Sequence, residues 1–175
     1  MRNQCRSWMR RMVLWTVAGL LVLCFVCCGK PAARYFSYLD APFCATLSGK
    51  IDGLAFAATL TSEGRDTVGV MPAATMTLTS PASLAGVEVR YYPETGWKVH
   101  LGDLEGGTDG EGLGLIASLL LSERAVNASR REAGSIILTL DGGVELWLDE
   151  KTSLPQRATF VGNGRAVEVA VVGWE

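Results

Sequence analysis

Three cysteines close the first apolar run of the chain, at Cys24, Cys27 and Cys28 in LCFVCCGKP. A thiol accepts a lipid, pairs into a disulfide or ligates a soft metal, so the neighbours have to choose. The only other cysteines are Cys5 and Cys44. Cys44 has no base near it in sequence and reads as a small apolar residue at a strand start. The single histidine, His100, alternates with Trp97, Val99 and Leu101 in WKVHL and reads as a sheet-surface residue. Asp103, Glu105, Asp109 and Glu111 crowd a glycine-rich stretch, GDLEGGTDGEG, without the spacing of a calcium loop. That stretch also lacks the Lys-Ser or Lys-Thr of a phosphate cradle. Asn127 begins an NAS sequon that carries no meaning in a bacterial protein. No nucleophile elbow, HExxH or paired CxxC is found after the leader. The chain is read as noncatalytic, with no cofactor and no metal site.

The cysteines are best explained by what precedes them. Arg2, Arg6, Arg10 and Arg11 form a basic start, and Met12 to Cys28 follow without a charge. That run is long for an export signal and short for a membrane-spanning helix. Either way the arginines stay in the cytoplasm and the rest is exported. The segment resembles a bacterial lipoprotein signal: basic start, short apolar run, a cysteine that takes the lipid (palmitate or a related acyl chain), then a polar linker. Cys28 is the expected lipidation site, because Cys27 before it is small and GKP after it begins a turn-prone linker. Cys27 and Cys24 are the alternative sites, and an uncleaved helical anchor is the alternative reading of the run. With Cys28 acylated, Cys44 has no partner for an internal disulfide.

The 175 residues suffice for one domain and a leader, and about half are apolar (49%). Removing residues 1–28 leaves 12 basic against 18 acidic side chains. A body that acidic excludes nucleic acid as a partner, which needs a basic footprint. The sequence divides into a signal at 1–28, a tether with a short helix at 29–42, and one domain at 43–175.

In that domain the dominant period is two. FCATLSGKI and GLAFAATLTS read as strands joined by the hairpin turn Asp52-Gly53. A third strand extends through TVGVMPAATMTLTS, broken near Pro72. VEVRYY and WKVHL follow. LGLIASLLLSERAV is the one good helix, apolar nearly all round and therefore expected to be covered on most sides. SIILTL, VELWLDE, RATFVG and RAVEVAVVGWE complete about nine strands, with further hairpins at Asp141-Gly142 and Asn163-Gly164. Short connections imply an antiparallel sheet. The class is α+β: a curved antiparallel sheet, an unclosed half-barrel, with a helix on its concave face.

This order resembles the lipoprotein-carrier (LolA-like) superfamily, and within it short lipoproteins of Gram-positive bacteria. The resembling stretches are PFCATLSGKIDGLAFAATLTSEG, TLTSPASLAGVEVRYYPETGWKVHLGDLEG and LTLDGGVELWLDEKTSLPQRATFVGNGRAVEVAVVGWE, together covering about residues 40–175. The resemblance implies a half-barrel whose hollow face takes a lipid or other apolar ligand. Its lining would come from the inward positions Leu54, Phe56, Val87, Val89, Ile116, Leu138 and Leu146. It also implies an extracytoplasmic protein held on the bacterial cell membrane by its N-terminal lipid. The alternative is a structural or interaction subunit of an envelope complex, its core filled, with Tyr92, Trp147 and Trp174 as interface candidates. Unlike the soluble carrier, this chain is expected to carry an anchor of its own.

Overall fold

The computed structural model describes residues 34–107 and 112–175. The signal at 1–28 with Cys28, the first part of the tether, and Asp109 and Glu111 lie outside the described residues. Among the described residues a 3-10 turn at Ser37–Asp40 precedes eleven strands and one helix. The strands are β1 Phe43–Ile51, β2 Leu54–Ser62, β3 Ala74–Ser80, β4 Glu88–Tyr92, β5 Gly96–Leu101 and β6 Leu104–Gly107, then β7 Val126–Glu132, β8 Ser135–Leu140, β9 Val144–Asp149, β10 Pro155–Gly162 and β11 Arg165–Trp174. The helix α1, Leu113–Leu121, falls between β6 and β7.

All the strands form one antiparallel sheet in the order β6-β5-β4-β3-β2-β1-β11-β10-β9-β8-β7. Two meanders are therefore stitched together by the pairing of the first strand with the last. The hairpin turns follow from local chemistry. Asp52-Gly53 and Asn163-Gly164 both hold two successive positive φ angles, 50° and 83° and then 53° and 74°, which is the two-residue turn that matches strand twist.

Curvature follows from the helix. It packs against β4 on one wing and against β9 and β10 on the other. Six strand spacings separate β4 from β9, about 29 Å along a flat sheet. A helix is only about 10–12 Å across. It reaches both wings only because the sheet curls around it. β6 and β7 end the order without pairing to each other, so the barrel is open. This is the expected half-barrel with a helix inside it.

The strand count is eleven, and the expected nine is corrected here. The two additions are the edge strands. β6 is exposed at every position and β7 at all but its first. An edge strand with no buried face has no apolar alternation to read. Short length in β6 and charge in β7 are the usual ways such edges avoid pairing with another chain. The third strand is also shorter than read. Residues 63–73 form a loop whose ends are tied by the Glu63 N–H donating to the Ala73 carbonyl at 3.0 Å. The helix ends at Leu121, where the Ser122 N–H still reaches the Ser118 carbonyl at 3.1 Å.

One glycine sits at the seam. A Cβ on Gly49 would lie 2.0 Å from the Glu168 carbonyl oxygen and 3.0 Å from the Phe56 ring. Gly49 pairs with Phe56 on β2 and with Val169 on β11, so its missing side chain lets the two meanders close on each other.

Candidate functional site

The interior of the half-barrel is assembled by register. Leu138, Leu146, Ala158, Val169, Gly49 and Phe56 form one transverse row across six strands. Three of the expected lining residues, Leu138, Leu146 and Phe56, therefore stand in a single line. Val89 belongs to a parallel row with Met76 and Leu60. Ile116 descends from the helix, and Val87 stands just before β4. All six lie in one hydrophobic core, between 0% and 6% exposed. Leu54 is different. It shares the face of Phe56, but it opens β2 beside the hairpin turn, beyond the end of the core, and is 55% exposed.

The helix fills the space these rows enclose. Ile116, Ala117, Leu119, Leu120 and Leu121 are fully buried, and α1 contains no charged residue. These residues belong to the same core as the sheet rows, and among the described residues no helix is long and apolar enough to cross a membrane. Gly114 makes room for a neighbour, since a Cβ there would be 3.0 Å from the Trp97 ring.

The C-terminal end of the helix is fastened by polar groups that sequence reading did not single out. The buried Tyr38 hydroxyl donates to the Leu120 carbonyl at 2.6 Å, satisfying one of the helix's orphan acceptors. Burial holds the Tyr38 hydroxyl well above the usual phenol range, with the nearby Arg65 charge partly opposing it. Arg65 itself is 3% exposed at its side chain and bridges two carboxylates. Its Nε lies 2.6 Å from Asp40 and its Nη1 2.5 Å from Glu123. Glu123 also accepts the Gly69 N–H at 3.0 Å. The Arg65 N–H donates to the Leu39 carbonyl at 2.8 Å. The 3-10 turn, the 63–73 loop and the helix exit are thus tied at one point. No local pattern marks this cluster, because the partners of Arg65 lie 25 and 58 residues away in sequence.

The remaining candidates separate cleanly. His100 stands between Glu88 and Glu105 in register, with Nδ1 3.8 Å from Glu105, and it is mostly buried, its Nε2 without a hydrogen-bond partner among the described residues. Glu105 is held below the usual carboxylate range chiefly by its hydrogen bond from Lys98. Cys44 is a free, half-buried thiol. Among the described residues no group of three or more His, Cys, Asp or Glu is placed to hold a metal ion. Trp174 is an internal prop: it stacks against Phe43 at 4.8 Å between centroids and donates to the Pro155 carbonyl at 3.0 Å. Trp147 lies on the outer face under the Arg157 guanidinium, 5.0 Å from its ring centre.

Comparison with known proteins yields structure rather than sequence. No family model matches the chain, and no curated protein does. A conserved protein from Thermus thermophilus shares the architecture with a TM-score of 0.50 at 14% identity, over 82% of this chain and 84% of its own. A LolA superfamily protein from Nitrosomonas europaea aligns with a TM-score of 0.46 at 11% identity, over 84% of this chain and 94% of its own. A DUF1329 family protein from Desulfovibrio piger aligns with a TM-score of 0.46 at 12% identity, over 82% and 90%.

The chain shares the open antiparallel half-barrel fold of the Thermus thermophilus protein. In this half-barrel the sheet stays open at both edges while the helix occupies the hollow. At identities this low the likeness is one of fold and carries no residue role across.

Proposed function

We propose that the chain is a noncatalytic extracytoplasmic lipoprotein, anchored to the bacterial cell membrane through Cys28, whose half-barrel binds a lipid or other apolar ligand in place of its own helix. One observation supports this reading most. The hollow is closed by a helix that is apolar on every side, so an acyl chain offers the sheet the same kind of surface that α1 does. Phe56, Val87, Val89, Leu138 and Leu146 would then touch the ligand, Ile116 would leave with the helix, and Leu54 would stand at the rim. The leader supports the anchor, and the acidic body supports the exclusion of nucleic acid. The Gram-positive setting belongs to the same proposal.

A second reading is favoured by the filled core. With six of the seven lining positions at 0–6% exposure, the domain also suits a structural or interaction subunit of an envelope complex that takes no ligand. Intact mass of the protein extracted from its native membrane, with lipid extraction of the body, separates the two. A diacylated Cys28 together with a co-purified lipid is expected. An anchored body that yields no lipid, and takes up no fluorescent fatty acid, moves the function to the interaction subunit. A mass that still contains residues 1–28 replaces the lipid anchor by a helical one.

A further inference from the structure

An anchor at Cys28 leaves little chain between the bilayer and the domain. Six peptide links join Cys28 to Arg34, a reach of about 20 Å at full extension. The same bound holds if the apolar run is kept as a helix, because the chain leaves the bilayer at the same place. From Arg34 the chain passes through the 3-10 turn at Ser37–Asp40 into β1 at Phe43. One end of the β1–β2 hairpin, where Phe43 pairs with Ser62, therefore follows directly on the tether. The other end, where Ile51 pairs with Leu54, lies eight residues back along β2, about 27 Å away.

The 63–73 loop leaves β2 at the tether end. Its base is clamped to the last residues before β1. The Arg65 N–H donates to the Leu39 carbonyl, and the Arg65 guanidinium pairs with Asp40. Gly64 lies so close to Ala41 that a Cβ would stand 2.8 Å from its carbonyl carbon. The tip is held as well, by the Gly69 N–H donating to Glu123 at 3.0 Å and the Ser122 hydroxyl donating to the Met71 sulfur at 3.5 Å. Glu63 and Asp66 precede the tip, and Thr67 to Met71 carry no charge. Val68 and Val70, on either side of the pinned Gly69, are 65% and 45% exposed. A slack loop would fold two valines inward, whereas this one is fastened with both of them out.

We propose that this loop is a second, non-covalent membrane contact, in which Val68 and Val70 enter the interface of the bilayer that holds the anchor and keep the Leu54 end of the half-barrel away from it. The contact depends on the membrane anchor and not on any ligand in the hollow. Burying two valines is a weak attraction by itself. The tether makes it effective, because it holds the bilayer at a high local concentration beside this end of the domain. The clamps remove the cost of ordering the loop at the moment of contact.

The test uses the full chain as extracted from its native membrane. It is reconstituted into phosphatidylcholine vesicles, with and without a phosphatidylcholine that carries a doxyl quencher near the headgroup. Val68→Trp and, separately, Val70→Trp place a fluorophore at the tip, Leu54→Trp places one at the far end, and the emission of the parent chain is subtracted. Quenching at least threefold stronger for Val68→Trp than for Leu54→Trp, with a blue shift on reconstitution, is expected. Val70→Trp should behave like Val68→Trp, which guards against a local rearrangement at either position. Equal quenching at the tip and the far end, or no quenching at either tip position, in chain that floats with the vesicles overturns the loop contact and leaves the anchor standing. Chain that does not float with the vesicles overturns the anchor, and this contact with it.

Discussion

The two ends of the helix are held by different physics. At the C-terminal end, Tyr38 caps the Leu120 carbonyl and the Arg65–Glu123 pair fixes the residue two places beyond. At the N-terminal end, Gly112 provides no side-chain cap, the first turn has no acidic residue, and the nearest ring is that of Trp97 over Gly114. Among the described residues, one end is fastened by directional bonds between buried groups and the other by apolar contact. Directional bonds fix position, whereas apolar contact tolerates exchange of one surface for another.

The comparison breaks if the fastened end proves weak. Arg65→Ala leaves Glu123, 15% exposed at its side chain, without its cation, and is expected to cost about 3 kcal/mol in urea unfolding. Glu123→Gln in the same chain should recover more than half of that loss, because the uncompensated charge is removed.

Tyr38→Phe should cost about 1–2 kcal/mol by removing the donor to a buried carbonyl. It also carries a pH signature. Burial raises the folded phenol above its unfolded value of about 10. Above that pH the unfolded state releases the proton and the folded state keeps it, so stability falls as pH rises. Below it the group contributes no slope. Urea midpoints between pH 9 and 11 should therefore fall less steeply in Tyr38→Phe than in the parent chain, and equal slopes would show that Tyr38 is not the group responsible.

Hydrogen exchange sharpens the same contrast. The amides of Leu119–Leu121 are expected to exchange about tenfold more slowly than that of Leu115, as the fastened end opens only with the domain. Uniform protection along α1 would mean that the helix moves as one piece.

The smallest effect is expected at Gly114→Ala. Alanine favours the helix by about 1 kcal/mol, and its Cβ meets the Trp97 ring at 3.0 Å. The two nearly cancel, leaving a change of less than about 1 kcal/mol in thermal unfolding. A shift in tryptophan fluorescence would report the displaced ring.

Much of the fold was legible because several strands alternate buried and more exposed residues, β3 and β9 most regularly. β9 reads buried, half-buried, buried along its whole length, and VELW already has that period. The hairpins were legible because Asp-Gly and Asn-Gly dictate positive φ. The edge strands were not, since LEGG and VNASRRE bury nothing and so carry no pattern. The burial of the proposed lining followed the same logic. Leu138, Leu146, Phe56, Val87, Val89 and Ile116 lie in the core, but Leu54 obeys the period and still falls beyond it, because period two names a face and not the point where the face ends.

By itself the sequence determined the inward face of the central strands, the hairpin turns and the apolar helix, all of which depend on residues within a few places of each other. Tertiary structure alone decided that β1 pairs with β11 over Gly49, that the helix fills the hollow, and that Arg65 meets Asp40 and Glu123. Those contacts join residues that are 25 to over 100 places apart. They are fixed by the closing of the sheet, a geometric condition that no local window contains.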